Sequence, residues 1–349
     1  MKVIAINGRF LARRQTGQER FAKETVLALD KIAPKGVYEL IIPLEYTGTI
    51  SLKNIKVVFW GKSKSHLWEQ KDFAWYVLKN RRLSLNLCTI QPLLAPGVVC
   101  IHDISYKLNP QYFSTPYGRK SALWHRLNYF VSSKFSPLIF TVTECSKKEI
   151  CRTYKVSEKK ISVVPNGWEH ITRIKADKNI SSRFPNIKLE EFFISIGSLA
   201  PNKNMKWVFE VAKRNPQKQF VIVGRASLTE YGSDYTNENL HNVIMTGYLS
   251  DEELKFLLQH CRALIFPSLY EGFGIPPLEA LALGKKAIVA QASCMPEIFH
   301  DSVYYIDPQN PDIDIDILME SSVESSKEIL MKYRYENAAK IINEKMGKL

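Results

Sequence analysis

Two α/β domains, each a parallel sheet wound with helices, are what this sequence predicts. Three observations lead there. The length of 349 residues suits about two domains. Both halves alternate short apolar runs with stretches of helical spacing, the pattern of βαβ units. Between the two series, the turn signal Pro165-Asn-Gly167 opens a polar, basic stretch that reads as a connection. The expected division is a first domain over 1–170, a linker over 171–190, a second domain over 191–325 and a terminal helix over 326–349.

In the first half, apolar runs at 2–6, 39–42, 56–59, 85–90, 98–101, 138–142 and 161–164 predict strands, with helices at 19–32, 117–134 and 146–154 among them. In the second half, strands are expected at 192–196, 220–223, 242–245, 263–266, 286–290 and 303–306, and a helix at 205–214. Ser250-Asp-Glu-Glu253 is a capping box that starts a helix running to about His260. The tail 328–348 keeps helical spacing, with Ile329, Leu330, Tyr333, Ala338, Ile341 and Ile342 at the apolar positions. No internal repeat or low-complexity tract interrupts these series.

Hydrophobic residues make up 45% of the chain, enough for a core in each half. The six cysteines form no Cys-x-x-Cys pair, so neither a zinc site nor a disulfide framework is expected, and a reducing compartment fits. The first apolar run is too short for a signal peptide, and no stretch nears the roughly 18 apolar residues that span a bilayer. A cytoplasmic protein, soluble or peripheral on the inner face of the membrane, is the expectation. Charge is uneven: residues 1–176 hold 29 Lys+Arg against 12 Asp+Glu, and the remainder 19 against 23. The plain reading is solvated lysines on helix faces. The functional reading is attraction to anionic lipid or a phosphate-bearing acceptor, at about 1 kcal/mol per well-placed basic residue. Nucleic acid is not expected as a partner, because no recognition-helix, RNP or zinc-finger pattern accompanies the charge.

The most informative stretch is Pro267-Ser-Leu-Tyr-Glu-Gly-Phe-Gly-Ile-Pro-Pro-Leu-Glu279-Ala-Leu-Ala-Leu-Gly284. It reads as strand, glycine loop and helix N-terminus, with Pro276 and Pro277 suited to a first turn and Gly284 to a C-cap. That arrangement aims backbone N–H groups and a positive dipole end at an anion. Glu271 then lies on the loop and Glu279 in the first helical turn. Two carboxylates beside an anion pocket suit a ligand with phosphates and hydroxyls together, a nucleotide sugar.

This segment resembles the E-x7-E signature of the retaining glycosyltransferases of family GT4, which have the GT-B fold. Other stretches resemble the family in its order: Thr16-Gly-Gln-Glu-Arg-Phe21, Ile101-His-Asp-Ile-Ser-Tyr106, Thr141-Val-Thr-Glu-Cys-Ser-Lys-Lys-Glu-Ile150, Val163-Val-Pro-Asn-Gly167, Ile196-Gly-Ser-Leu-Ala-Pro-Asn-Lys-Asn204 and Thr246-Gly-Tyr-Leu-Ser-Asp-Glu-Glu-Leu254. They cover most of residues 1–310. The resemblance implies two Rossmann-like domains facing across a cleft, with the last helix crossing back to the first domain.

It also implies roles. Glu279 resembles the carboxylate that accepts from both ribose hydroxyls; helix-terminus stabilisation is its plainer reading. Glu271 resembles the glutamate that meets donor-sugar hydroxyls, and otherwise is a solvated loop carboxylate. The amides of Gly272, Phe273, Gly274 and Ile275 are candidates for the sugar and β-phosphate, the Phe273 ring reading as packing. Lys203 meets the diphosphate as a point charge, and Gly197 lets the backbone approach. Many relatives have arginine directly after the equivalent of Gly197; Ser198 here puts one of two phosphate cations in doubt. Arg225 is either a replacement or a surface arginine. His102 lies near the reacting carbon in the family; Asp103 either orients that imidazole or caps the next segment. Gly17, with Gln18 and Arg20, sits on the loop that closes on the diphosphate.

Acceptor candidates are Asp103, Glu144, Trp68 and Trp124, against the plainer readings of helix capping for Glu144 and core packing for the tryptophans. No metal or other cofactor is expected, because no Asp-x-Asp metal motif is read in the chain, and phosphate charge is then met by Lys203, the helix dipole and backbone amides. The resemblance therefore implies a metal-independent, retaining hexosyltransferase acting in surface polysaccharide assembly. The partners implied are a nucleoside diphosphate sugar, a glycan or lipid-linked oligosaccharide acceptor, and an anionic membrane. Mannose carried on GDP is favoured by likeness of the 197–204 loop. The alternatives are another GT-B enzyme, a sugar epimerase or phosphorylase, and a non-catalytic binder of nucleotide sugar or anionic surfaces.

Overall fold

The apolar runs build two sheets whose strand pairs are all parallel among the described residues, which are 2–224 and 240–349 of a computed structural model. One unit comprises Met1–Gly167 with Tyr333–Leu349, the other Trp168–Lys332.

In the first unit, β1 (Ile4–Asn7), α1 (Gly17–Ile32), β2 (Tyr38–Ile42), β3 (Lys56–Phe59), β4 (Leu83–Asn86) and β5 (Val98–Cys100) are followed by α2 (Pro116–Phe135), β6 (Ile139–Thr141), α3 (Glu144–Tyr154) and β7 (Ile161–Val163). The sheet order is β3-β2-β1-β4-β5-β6-β7. The chain starts at a central strand, winds outward, then returns to the other side of β1. Ile4 thus pairs with both Tyr38 and Leu83. Strands covered on both faces by crossover helices are mostly apolar, and β1 and β2 are buried along their whole length, Asn7 and Glu39 included. Within this unit α7 (Tyr335–Gly347) packs on α1, and the Tyr38 hydroxyl donates to Asn343 Oδ1 at 3.1 Å.

The second unit repeats the plan with β8 (Phe193–Ile196), α4 (Met205–Arg214), β9 (Phe220–Val223), β10 (Val243–Gly247), α5 (Asp251–His260), β11 (Ala263–Phe266), α6 (Ile275–Ala282), β12 (Lys286–Ala290) and β13 (Tyr304–Ile306). Its order is β10-β9-β8-β11-β12-β13. Phe193, Trp207, Val208, Phe220, Ile265 and Ile288 lie in its core. Burying a side chain of that size contributes about 1.5–3 kcal/mol. The Ser250 box caps α5 as its letters require, Ser250 Oγ accepting from the Glu253 amide at 3.2 Å.

Three expectations need correction. The fourth strand is Leu83–Asn86, not 85–90. Ser84 and Asn86 are buried polar residues that a search for apolar runs passes over, and Asn86 Nδ2 donates to the Val98 carbonyl at 3.2 Å. The tail is two helices, Lys327–Lys332 and Tyr335–Gly347, broken where the chain passes from one unit to the other. The stretch 171–190 carries the helical turns Glu169–Arg173 and Ile180–Arg183 and belongs to the second unit.

Candidate active site

A parallel sheet exposes its ligand site beyond the carboxyl ends of its strands, at the point where strand order reverses. In the second unit that point lies between β8 and β11. The two loops leaving these strands carry Lys203 and Glu271. Lys203 ends a 3-10 turn, Pro201–Lys203, set by Pro201 at its first position, and Asn204 follows in the left-handed region at φ 52°. The loops are tied together: the Leu269 amide donates to the Asn202 carbonyl at 2.8 Å, and Asn204 Nδ2 to the Pro267 carbonyl at 3.2 Å. Lys203 Nζ and Glu271 Oε1 meet at 2.5 Å, and their side chains are 26% and 16% exposed. Both charges therefore stay within reach of a ligand. Gly197 brings the backbone close beneath Lys203, since a Cβ there would lie 3.3 Å from Lys203 Cγ. Ser198 is half-buried on the same loop.

The glycine turn is fixed from behind. Ser293 Oγ donates to the Glu271 carbonyl at 2.7 Å, and Cys294 Sγ contacts the carbonyls of Glu271 and Phe273 at 3.2 Å each. Gly274 N-caps α6 at φ 117°, and a Cβ there would sit 2.9 Å from Met295 Cε. Only glycine meets both demands. Gly272 and Phe273 are buried, Phe273 as packing, and Ile275 is the first residue of the helix.

Glu279 corrects the reading of its position. It is the fifth residue of α6, in the second turn, and no acidic residue lies in the first. It faces inward, where Oε1 accepts from His170 Nε2 at 2.6 Å, with the two side chains 6% and 3% exposed. His170 stands on the turn Glu169–Arg173, and its contact with Glu279 spans 109 positions of sequence. Nothing in a single sequence pairs them; the only signal is a histidine three residues after the Pro165-Asn-Gly167 turn. Asn202 and Ser293, which hold the loops, were equally hidden.

In the first unit, His102 follows β5 and is buried. Its Nε2 lies 2.9 Å from the Leu87 carbonyl, which can only accept, so the proton sits on Nε2 and Nδ1 is the acceptor. Burial pushes the imidazole down to about 4, so the ring is neutral near pH 7. Phe21 packs edge-on against it, and the Ser146 hydroxyl donates to the His102 carbonyl at 3.2 Å. The Leu87 carbonyl thus holds this ring, and Asp103 Oδ1 accepts from the Ser105 amide at 2.8 Å at the start of the next helical turn. Gly17 is the first residue of α1 rather than a loop residue. Glu144 opens α3, exposed, 3.5 Å from Lys147.

Trp68 is a core residue, not an acceptor platform. It is fully buried, stacks on Phe73 and donates from Nε1 to the Trp60 carbonyl at 2.6 Å. Trp124 is half-buried, edge-on to His66. Arg225 lies outside the described residues.

No group of three or more His, Cys, Asp or Glu among the described residues is placed to hold a metal ion. Contrary to expectation, the chain does hold one Asp-x-Asp run, Asp312-Ile-Asp314-Ile-Asp316. Its carboxylates have structural work: Asp314 caps the helix Ile315–Glu320, and Asp316 pairs with Lys218 at 2.8 Å and Arg262 at 2.7 Å.

Residues 177–337 match the family described as Glycosyl transferases group 1. O-antigen chain mannosyltransferase RfbU of Salmonella typhimurium is 27% identical over 259 residues, covering 69% of this chain and 68% of that protein. O-antigen chain mannosyltransferase B of Escherichia coli is 26% identical over 278 residues, covering 75% and 69%. Among solved structures, HepE of Anabaena in complex with UDP and glucose superposes over the full length of both chains, with a TM-score of 0.69 at 18% identity. WaaG, a glycosyltransferase involved in lipopolysaccharide biosynthesis, gives 0.58 at 14%, over 98% of this chain and 95% of its own. The fold is therefore the GT-B fold of these solved structures, and its second unit, with the glycine turn and the lysine–glutamate pair at a strand-order reversal, is similar to the group 1 glycosyltransferases.

Proposed function

We propose that the chain is a GT4-type, metal-independent, retaining hexosyltransferase that moves mannose from a nucleoside diphosphate sugar to a hydroxyl of a lipid-linked glycan. The setting is surface polysaccharide assembly at the cytoplasmic face of the membrane. The observation that carries this reading is the 2.5 Å Lys203–Glu271 pair at the head of the glycine turn. It offers one cation for a diphosphate beside one carboxylate for sugar hydroxyls. Mannose is supported by the names of the O-antigen relatives. No described helix is long and apolar enough to cross a membrane, which is compatible with a peripheral enzyme.

In this reading Lys203 and the amides of Gly274 and Ile275 bind the diphosphate, and Glu271 orients the sugar. Glu279 uses its second oxygen for the ribose hydroxyls while His170 holds the first. The bond from the anomeric carbon to the diphosphate breaks, the acceptor oxygen bonds that carbon on the same face, and its proton passes to the departing phosphate. The protein supplies positioning and preorganised charge rather than a strong base.

The test is turnover of GDP-, UDP-, dTDP- and ADP-sugars with and without a polyprenyl-linked glycan acceptor, with the product anomer assigned by NMR. Acceptor-dependent release of GDP and an α-linked mannose are expected. A new nucleotide sugar formed without acceptor would make the chain an epimerase. Binding without turnover would make it a non-catalytic receptor.

A further inference from the structure

Helix α2 is built the wrong way round for a helix bathed in water. Its protein-facing side is largely polar or small: Ala122, Asn128, Ser132 and Ser133 are buried beside Tyr129. That side is hydrogen-bonded, with the Gln91 amide donating to Asn128 Oδ1 at 3.2 Å and Gln91 Nε2 to Ser132 Oγ at 2.8 Å. The outward side carries Leu123, Leu127 and Phe130, with Tyr117 and Phe135 at the two ends, all between 43% and 80% exposed. The other large exposed side chains are basic, Arg119, Lys120 and Lys134, and the helix has no Asp or Glu. A surface helix normally presents the reverse pattern.

The patch continues beyond α2. The helical stretch Ser65–Lys79 exposes Leu67, Lys71, Trp75 and Leu78 at spacings of four, four and three, again apolar and basic on one face. The loop that follows β4 joins the two: Gln70 Nε2 donates to the Gln91 carbonyl at 3.0 Å, and the Leu93 amide to Gln70 Oε1 at 2.9 Å. Leu94, next in that loop, is 82% exposed.

We propose that this face of the first unit docks on an anionic lipid bilayer, with α2 lying in the headgroup plane and Leu123, Leu127 and Phe130 in the acyl boundary. Exposed leucine and phenylalanine interleaved with lysine and arginine match a surface that offers hydrocarbon below and negative headgroups beside it. A second copy of the chain fits worse, since a symmetric contact brings Arg119, Lys120 and Lys134 towards their own equivalents. The face is independent of the Lys203–Glu271 site, but its purpose, bringing the enzyme to a lipid-linked acceptor, rests on the proposed activity.

The test is co-sedimentation of the purified full chain with vesicles of phosphatidylcholine alone or containing phosphatidylglycerol. Salt is varied from about 0.1 M to about 1 M, where the Debye length falls from about 10 Å to about 3 Å. The wild type is expected to prefer the anionic vesicles and to keep part of its binding at high salt, through the apolar contact. Leu123→Gln/Leu127→Gln/Phe130→Gln should lower the partition coefficient at least tenfold. Lys120→Glu/Lys134→Glu should abolish the preference for phosphatidylglycerol. Neither variant should lower the melting temperature or slow turnover of a water-soluble acceptor. Wild type left in the supernatant with anionic vesicles at low salt overturns the proposal. So does a triple variant that binds within twofold of wild type, or a wild-type dimer that the triple variant turns into a monomer. Vesicle binding without any transferase turnover would keep the docking face and refute the enzymatic reading alone.

Discussion

Replacing His170 by alanine separates two parts that Glu279 plays. The side chains of the pair are almost wholly buried and meet at 2.6 Å. Removing His170 leaves a carboxylate with one oxygen stripped of its donor, and breaking such a buried pair costs about 3–5 kcal/mol. For a unit of the size of Trp168–Lys332, 1 kcal/mol moves the melting temperature by about 2–4 °C, so His170→Ala should lower it by at least 6 °C or so. Glu279→Gln keeps an oxygen that still accepts from His170, so its stability loss should be near 1 kcal/mol, the size of an ordinary hydrogen bond. Its donor KM should rise about tenfold with little change in kcat, because ribose contacts bind ground and transition states alike. The assays are scanning calorimetry and steady-state kinetics over a range of donor concentration. A His170→Ala variant melting within a degree or two of wild type would refute the buried-pair argument. An unchanged KM in Glu279→Gln would refute the ribose role.

The remaining predictions concern other links of the argument. Lys203→Ala should lower kcat/KM about 100-fold or more, the usual effect of deleting one preorganised charge contact, while a part-exposed pair costs only about 1 kcal/mol of stability. Gly274→Ala forces a side chain into φ 117° and against Met295, and should cost about 2–3 kcal/mol in thermal melts while raising the donor KM. Burial holds both His102 and His125 at about 4 against 6.5, so below pH 6.5 the unfolded chain binds protons that the folded chain refuses. Stability should be full above pH 6.5 and fall towards pH 4 at up to about 1.4 kcal/mol per pH unit for each histidine, a slope that His102→Asn should reduce in pH-dependent denaturant titrations.

What was legible in the sequence was whatever is punctuated locally. The 267–284 segment could be read because an apolar run, a glycine turn and a proline pair follow one another in the order of strand, turn and helix N-terminus, and the structure shows that strand, turn and helix. Side-chain direction was not legible in the same way. Glu279 looked like a first-turn residue, but Gly274 starts α6 early enough to carry it into the second turn and inward. Trp68 sits in a basic, aromatic stretch, yet a six-residue π-helical turn from Trp68 to Phe73 directs it into the core. The break at 333–334 was invisible because apolar spacing continues across it, while the partners on the two sides belong to different units. The inverted face of α2 was hidden for a related reason. Its polar letters Asn128 and Ser132 are satisfied by Gln91, 37 and 41 positions away, and no periodicity reports which side of a helix will find such a partner.

The two sheets share one winding, so topology by itself does not select a site. The first unit also reverses strand order, between β1 and β4, and there too charged residues gather at the strand ends. Asn7 Nδ2 donates to Glu69 Oε1 and Asn86 Oδ1 at 3.1 Å each, and Arg9 pairs with Glu69. Those two charges are 6% and 3% exposed. A pair so enclosed is hydrogen-bonded on most sides and fixes the chain where it leaves β1, but it has little surface left for a ligand. At the β8–β11 reversal the same kind of pair stands several times more open, on loops held from behind by Asn202, Asn204 and Ser293. Rigid loops with accessible opposite charges meet the requirement for preorganised recognition of a diphosphate sugar; rigid loops with sealed charges meet only that of stability. The difference lies in how far each pair is exposed. That is why the second unit carries the donor-site proposal although both units obey the same topological rule.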